Sequence, residues 1–190
     1  MPWDETEREK RIEGMFRAKE IEEQERLRQA SAEEDAREHA RQELRVRTGL
    51  PDPQLDELES LGFTPETVSL LPLIPVLQVA WAEGKVTDPE RAALLSLARS
   101  RTIAEGSPAD RKLNEWLSHK PAEKVFASAG HLIAAMLSGP SAMNLSAEEV
   151  VNYCEVIASA SGGMLGIHRV SSEERALIAS ITSELKGRTT

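Results

Sequence analysis

The sequence contains almost no cysteine. Cys154 is the only one among 190 residues, which excludes an internal disulfide framework and a zinc site built on paired cysteines. Its neighbours Asn152, Tyr153 and Glu155 bring no positive charge that would stabilise a thiolate, so we expect a buried and unreactive thiol. Free thiols are typical of reducing compartments, and we therefore expect a cytoplasmic protein.

Aromatic residues and long apolar runs are also scarce. Aromatics make up 4% of the chain, while Ala and Leu are plentiful and runs of strand-favouring residues are nearly absent, so the composition predicts an all-α fold. The most apolar stretch, Val68 to Ala82, contains Pro72 and Pro75 and is shorter than the roughly 20 residues that span a bilayer. The first residues, MPWDETEREKR, lack the apolar core of a signal peptide. We expect the apolar stretch from Val68 to Ala82 to form a buried core helix, and we expect no membrane span.

Clustered positive charge and recognisable catalytic motifs are missing too. The net charge is -9, and phosphate affinity depends on clustered Lys and Arg, so we expect no nucleic-acid partner. No phosphate loop or nucleophile elbow occurs. His39, His119, His131 and His168 are never spaced as a ligand pair. We expect a protein that is not an enzyme, since an enzyme would need several of these histidines and acids to meet in one pocket.

What the chain has in abundance is balanced charge over residues 1–48. Acids precede bases by four residues in six pairs, the orientation that stabilises a helix by about 0.2 to 0.5 kcal/mol per pair. No apolar seam runs for the three or four heptads that a coiled coil needs. We predict a long charged helical or partly disordered arm, which ends where Gly49 and Pro51 stop the helix and a folded domain over 49–190 begins.

One short apolar patch interrupts this charged arm. It consists of Ile12, Met15 and Phe16, which share one face of a helix by their spacing. Charge-rich arms are often only solvated, and that is the simpler interpretation. The functional alternative is that the patch docks on a protein partner or on a second copy of the chain.

Helix starts are well marked in the rest of the chain. Three segments match the capping box, in which a hydroxyl and an acid three residues later satisfy each other's backbone amides: Thr87 to Glu90, Ser146 to Glu149 and Ser171 to Glu174. Pro65 and Pro108 mark two further starts. The predicted helices lie near 54–61, 65–83 with a bend at its prolines, 88–103, 108–117, 121–138, 147–161 and 172–186.

An internal repeat connects two of these helix pairs. VTDPERAALLSL, from Val86, matches VSSEERALIASI, from Val170, and upstream Ala80, Ala82 and Gly84 match Ala158, Ala160 and Gly162. Each copy is a helix, a glycine turn, an apolar Val and a capped helix. Because a lone helix pair cannot bury its apolar face, we predict a compact bundle built from two related helix-turn-helix units around one core.

The first copy carries the pattern A-x-A-[DE]-G-x-[IV]-x-x-x-E-R over 80–91. This pattern resembles the TerB-like (tellurite-resistance TerB) family, which consists of all-helical bacterial domains with the unit present twice. The resemblance covers about residues 64–186. It implies membership of stress-response complexes and an association with divalent cations through Glu83, Asp88 and Glu90. The chain departs from the family pattern in having Glu83 where Asp is usual and Ser161 at the matching place in the second copy.

The acidic turn leaves two alternatives open. A full calcium loop of the EF-hand type is excluded, because its first ligand positions would fall on Val79 and Trp81, which offer no oxygen. Glu83, Asp88 and Glu90 form a weaker divalent-cation site in one alternative. In the other, Gly84 ends one helix and the glutamate three residues after Thr87 closes a capping box.

Two tryptophans are candidates for either core or contact surface. Trp81 lies in an apolar helix, and Trp116 falls near a helix end beside His119 and Lys120. So few aromatics must fill this interior that core positions are favoured for both. The alternative for Trp116 is a partner-binding position, since amphipathic aromatics are enriched at interaction sites.

Together these features predict a non-catalytic adaptor or regulatory component of a bacterial assembly or stress-response system. It would act through protein contacts made by the arm and by a surface of the bundle. The alternative is a regulatory module that binds a divalent cation at the acidic turn around Gly84. No other cofactor is expected.

Overall fold

The structure is a computed structural model that describes residues 5–139, 145–161 and 170–186. These ranges contain eight α-helices, one 3-10 helix and no strand, which confirms the predicted all-α fold. No helix in these ranges is both long enough and apolar enough to cross a bilayer. The elements are α1 (Glu5–Thr48), α2 (Asp52–Ser60), the 3-10 helix (Val68–Leu73), α3 (Ile74–Ala80), α4 (Asp88–Ser100), α5 (Pro108–Ser118), α6 (Glu123–Ser138), α7 (Ala147–Ser161) and α8 (Ser172–Lys186).

The chain divides into two compact units, residues 1–41 and 42–190. The first unit is a stretch of α1 in which every described side chain from Arg8 to His39 is exposed. Its ion pairs lie in solvent: Arg37 and Glu34 are 4.0 Å apart with 76% and 75% of their side chains exposed. The predicted long charged N-terminal helix is therefore present, and burial contributes little to it.

The last turn of α1 belongs to the second unit. Leu44 and Thr48, which the sequence analysis assigned to the arm, are 1% and 0% exposed. The hydroxyl of Thr48 donates to the carbonyl of Leu44 at 2.7 Å and accepts from the amide of Leu50 at 3.2 Å. Gly49 then takes a φ of 68°, a left-handed conformation that glycine adopts without strain. The last turn of the charged helix is thus fixed to the folded core.

The region around Pro72 and Pro75 differs from the predicted continuous helix over 65–83. Pro65 does not begin an α-helix, because residues 65–67 form a turn in which Thr67 Oγ1 accepts from the Thr64 amide at 2.9 Å. Pro72 lies inside the 3-10 helix, and Pro75 occupies the first turn of α3, where its missing N–H costs no helical bond. The bend predicted at the two prolines is in fact a change of helix type.

The two repeat units form the centre of the second unit. The first repeat unit is α3 with α4, and the second is α7 with α8. In addition to the packing within each pair, α3 packs on α7, α4 on α7 and α8 on α3, which are the contacts that a twofold exchange of the pairs would generate. The facing residues are apolar and fully buried in both: Val76, Val79 and Ala80 in α3, and Cys154, Ile157 and Ala158 in α7. Gly162, which the repeat pairs with Gly84, lies outside the described residues.

Candidate functional site

The turn between α3 and α4 is built as a helix stop and restart. Gly84 has a φ of 82°, in agreement with the predicted left-handed helix end. The Thr87 amide donates to Glu90 Oε2 at 2.7 Å, and the Glu90 amide donates to Thr87 Oγ1 at 3.5 Å. Both halves of the predicted capping box therefore form. The carboxylate of Glu90 also accepts from the Thr87 hydroxyl at 2.7 Å, so one oxygen holds two hydrogen bonds.

The other two predicted capping boxes form as well, but only one of them matches the first in burial. The Ser146 amide donates to Glu149 at 2.8 Å, and the Ser171 amide donates to Glu174 at 2.7 Å. Glu149 is exposed, whereas Glu174 is 1% exposed and Glu90 is 3% exposed. The repeat has therefore placed two acidic caps inside the bundle, one at the start of each second helix.

The interior position of Glu90 changes its ionisation. Burial raises the pKa of its carboxyl above the ordinary value of 4.5, and the negative charges of Glu174 and Glu83 raise it further. The hydrogen bonds from Thr87 act in the opposite direction without cancelling the rise. Ionised Glu90 is therefore costlier than a solvated carboxylate, and other acids of the two repeat units contribute to that cost.

These acids do not assemble a recognisable metal site. Glu83 and Asp88 are exposed while Glu90 is buried and bonded to Thr87. Within the described ranges no group of three His, Cys, Asp or Glu side chains is arranged to hold a metal ion. The predicted divalent-cation site at Glu83, Asp88 and Glu90 thus has no support from the described geometry, and the capping function accounts for the buried acid.

Trp116 is a core residue rather than an exposed contact residue. It is 7% exposed, and its ring meets that of Phe63 edge-on, with centroids 6.0 Å apart and planes 66° apart. Its carbonyl accepts from Trp81 Nε1 at 2.9 Å. This arrangement confirms the core alternative and leaves no exposed ring for the predicted partner-binding role of Trp116. The hydrogen bond between Trp81 and Trp116 joins α5 to the first repeat unit.

A polar groove lies between α2, α6 and α8. Glu57 of α2 accepts from the Ser128 hydroxyl at 2.6 Å, and its other oxygen lies 2.7 Å from His131 Nε2. Gln54, His131 and Glu184 line the groove, whose volume is about 640 Å³. Burial raises the pKa of Glu57, but the hydrogen bonds from Ser128 and His131 and the charge of the imidazole lower it more, so the net shift is downward. Sequence reasoning missed this cluster, because only the spacing of Ser128 and His131 on one face of α6 was visible.

The connectivity of this cluster is unsuited to nucleophilic catalysis. In a catalytic triad the nucleophile donates to the histidine and the histidine to the acid. Here the hydroxyl of Ser128 and the imidazole of His131 both bond to Glu57 rather than to each other, so the serine–histidine contact of a triad is not formed. The arrangement instead fixes α2 to α6, with partners 71 and 74 residues apart in the chain.

The single thiol has no reactive character. Cys154 is 0% exposed, and burial, followed by the charge of Glu155, raises its pKa to about 12. A thiol with that pKa carries essentially no thiolate at neutral pH. The predicted buried and unreactive cysteine is therefore found.

The arm patch, Ile12, Met15 and Phe16, is open to solvent. The three side chains are 44%, 61% and 65% exposed, and their spacing places them on one face of α1. Ile21 and Leu27 are also exposed, at 58% and 61%, but Ile21 falls on the opposite face by its position in the helix. The patch is thus the place where three exposed apolar side chains lie together on a helix that is mostly charged.

Comparison with known proteins adds no relative. No family model, curated protein or solved structure matches this chain. The resemblance to the TerB-like family therefore stays a prediction from the motif over 80–91.

Proposed function

We propose that this protein is a non-catalytic adaptor or regulatory component that acts through protein-protein contacts. The arm patch, Ile12, Met15 and Phe16, docks on a partner protein or on the same patch of a second copy. The observation that carries the proposal is the exposure of these three large apolar side chains on one face of a helix whose other described residues up to His39 are solvated. Covering each such side chain is worth about 1.5 to 3 kcal/mol relative to leaving it in water, so an exposed group of three favours association.

The chemistry of the second unit supports a binding role more than a catalytic one. The Ser128 hydroxyl is bonded to Glu57 rather than to a histidine, and the thiol of Cys154 is buried. The motif at 80–91 that resembles the TerB-like family extends the proposal to a cytoplasmic bacterial assembly or stress-response system.

The test compares two variants of the full chain. In the patch variant Ile12, Met15 and Phe16 are each replaced by Ser; in the control Ile21, which is similarly exposed but lies on the opposite face of α1, is replaced by Ser. Self-association is measured by sedimentation, and a partner captured from the native cell is purified and its binding measured by calorimetry. We expect at least tenfold weaker association for the patch variant and no change for the control. Equal association of the two variants, or a monomer that captures no partner able to rebind, would overturn the proposal.

A further inference from the structure

The second repeat unit has an open groove where the first is covered. This groove, which we call the second groove, lies between α7 and α8 and has a volume of about 430 Å³. Its lining residues each have a counterpart in the first repeat unit through the repeat alignment; three pairs matter here, Trp81 with Ser159, Arg91 with Arg175, and Leu94 with Ile178. The second groove is lined by Glu155, Ser159, Val170, Arg175, Ile178 and Ala179.

In the first repeat unit this face is covered by the C-terminal turn of α5. Arg91 Nη2 donates to the carbonyl of Leu117 at 2.7 Å, and Trp81 Nε1 donates to the carbonyl of Trp116 at 2.9 Å. The last carbonyls of a helix have no partner within the helix and carry its negative dipole end, so an arginine is a favourable donor to them. Leu94 beneath is 0% exposed.

In the second repeat unit two of the three corresponding positions are more exposed: Arg175 than Arg91, and Ile178 than Leu94. Arg175 is exposed, whereas Arg91 is half-buried. Ile178 is only partly buried, and Val156, which lies one turn from Ser159 on α7, is 54% exposed. Trp81 is replaced by Ser159, and this loss of an indole leaves room that a side chain of another molecule can fill.

We propose that the second groove binds the C-terminal turn of an amphipathic helix in a partner protein. A terminal carbonyl of that helix accepts from Arg175, as the Leu117 carbonyl accepts from Arg91. A large apolar side chain enters the space above Ser159 and covers Val170 and Ile178. This proposal deepens the adaptor function and rests on it, because it names the surface of the bundle and the kind of partner segment that surface takes.

The charges of the groove favour this occupant, and the size of the groove limits the affinity. Arg175 offers an exposed positive charge, which suits the negative end of a helix dipole. Glu155 also lines the groove, where its negative charge would favour a basic side chain on the partner helix. Because the groove is small, one helix turn alone is expected to bind weakly, with a Kd on the order of 100 μM.

The test uses a probe copied from the chain itself. The probe is a peptide of residues 107–117, crosslinked between positions 111 and 115, which are exposed in α5; the crosslink is needed because a free helix this short is marginal. It is made with a C-terminal amide and with a free carboxylate, which offers Arg175 a charged acceptor. Methyl resonances of the full-length protein report where the peptide binds.

We expect saturable shifts at Val170 and Ile178, with the carboxylate form binding several-fold more tightly than the amide. Arg175→Ala should weaken binding about tenfold, and Ser159→Trp, which restores the side chain of the first repeat unit, should abolish it. Arg37→Ala, which removes a surface arginine from the other unit, serves as the matched control and should leave binding unchanged. Melting temperatures confirm that each variant folds.

Three outcomes would overturn the proposal. One is the absence of shifts at Val170 and Ile178, and another is binding that neither Arg175→Ala nor Ser159→Trp weakens. The third is self-association that Ser159→Trp abolishes, which would assign the groove to a second copy of the chain. The first two outcomes leave the arm-patch comparison unaffected, so failure here is distinguishable from failure of the adaptor function. In the third outcome the arm-patch comparison is repeated in the Ser159→Trp background, where only association through the arm remains.

Discussion

Glu90 and Glu174 occupy the same position in the two repeat units, and each closes a capping box from inside the bundle. The Thr87 amide donates to Glu90 at 2.7 Å and the Ser171 amide donates to Glu174 at 2.7 Å. The charge of Glu174 contributes to the raised pKa of Glu90. The repeat therefore preserves a helix start at the cost of bringing acids close enough to interact.

Replacing Glu90 separates its capping function from its charge. Glu90→Gln keeps a side-chain acceptor for the Thr87 amide and removes a charge that burial disfavours, so we expect equal or higher stability at pH 7. Glu90→Ala leaves the partly buried amide without its partner and should cost about 1 to 2 kcal/mol. Urea unfolding of both variants measures the difference. A Gln variant as unstable as the Ala variant would contradict this account.

The same pair of variants gives a pH dependence. The pKa of Glu90 in the folded chain lies above the ordinary value of 4.5. Between these two pKa values the folded chain therefore binds more protons than the unfolded chain does. The stability contributed by this group is full below the unfolded pKa and is lost as the pH rises through the folded pKa. The stability of Glu90→Gln relative to the wild type should accordingly rise with pH from about 4.5 upward. Glu149→Gln, at an exposed capping box, is the matched control.

Asp110 is expected to stabilise the start of α5 through charge. It accepts from the Gly106 amide at 2.8 Å and from Arg99 Nη2 at 2.6 Å, and only 7% of its side chain is exposed. These two interactions outweigh burial and lower its pKa from the ordinary value of 3.8. Asp110→Asn should cost about 1 to 3 kcal/mol at neutral pH, because hydrogen bonds to a charged group are the stronger kind. Glu115→Gln, which breaks an exposed pair with Lys112, should change stability little.

The pH dependence of Asp110 has the opposite sign to that of Glu90. The pKa of Asp110 in the folded chain lies below 3.8. The stabilisation from Asp110 is therefore present above its pKa in the unfolded chain and is lost as the pH falls through its pKa in the folded chain. The difference between wild type and Asp110→Asn should therefore shrink below about pH 4. Thermal unfolding between neutral pH and the acid limit measures it, and a constant difference would contradict the assignment.

Two glycines should respond oppositely to alanine. Gly84 has a φ of 82°, so Gly84→Ala is strained although nothing lies within 4 Å of the added Cβ, and it should cost about 1 kcal/mol. Gly130 is inside α6, and an added Cβ there meets the Glu184 carboxylate, the far end of a flexible side chain on α8. Gly130→Ala should be neutral or slightly stabilising because Ala is the better helix former by about 1 kcal/mol. Denaturant unfolding compares the two, with Glu184→Ala added to the second to remove the clash.

A titration with divalent cations should be silent. Glu90 is buried and bonded to Thr87, while Glu83 and Asp88 are exposed without a third free carboxylate placed to join them in the described ranges. Calcium, magnesium, manganese and zinc should give no heat in calorimetry at protein concentrations that detect micromolar binding. Heat that Glu83→Gln with Asp88→Asn removes would restore the divalent-cation alternative.

Features set by neighbouring residues were predictable from the sequence, and those set by distant residues were not. The hydroxyls of Thr87, Ser146 and Ser171 cap helices because their acids follow three residues later, and the starts of α7 and α8 follow from those caps. The helix start predicted at Pro65 was wrong because the Thr67 side chain accepts from the Thr64 amide and holds a turn there instead of a helix.

The contacts that shape the surfaces join residues far apart in the chain. Glu57 meets His131 across 74 residues, and Trp81 meets Trp116 across 35. No local pattern specifies such a pairing, so the polar groove and the burial of Trp116 emerge only from packing. The repeat was visible in the sequence, but its unequal coverage by α5 was not.

The unequal coverage of the two repeat units has a consequence for how the chain can change over generations. A substitution at Trp81 removes a hydrogen bond to α5 and requires a compensating change in α5. The first repeat unit is therefore constrained by contacts within the chain. Ser159 donates its hydroxyl to Glu155 one turn back in its own helix, at 2.7 Å, so a substitution at that position disturbs less. Lineages that carry this repeat should therefore diverge first at the exposed positions around the second groove, while the buried residues of α7 and α8 stay constrained by the core.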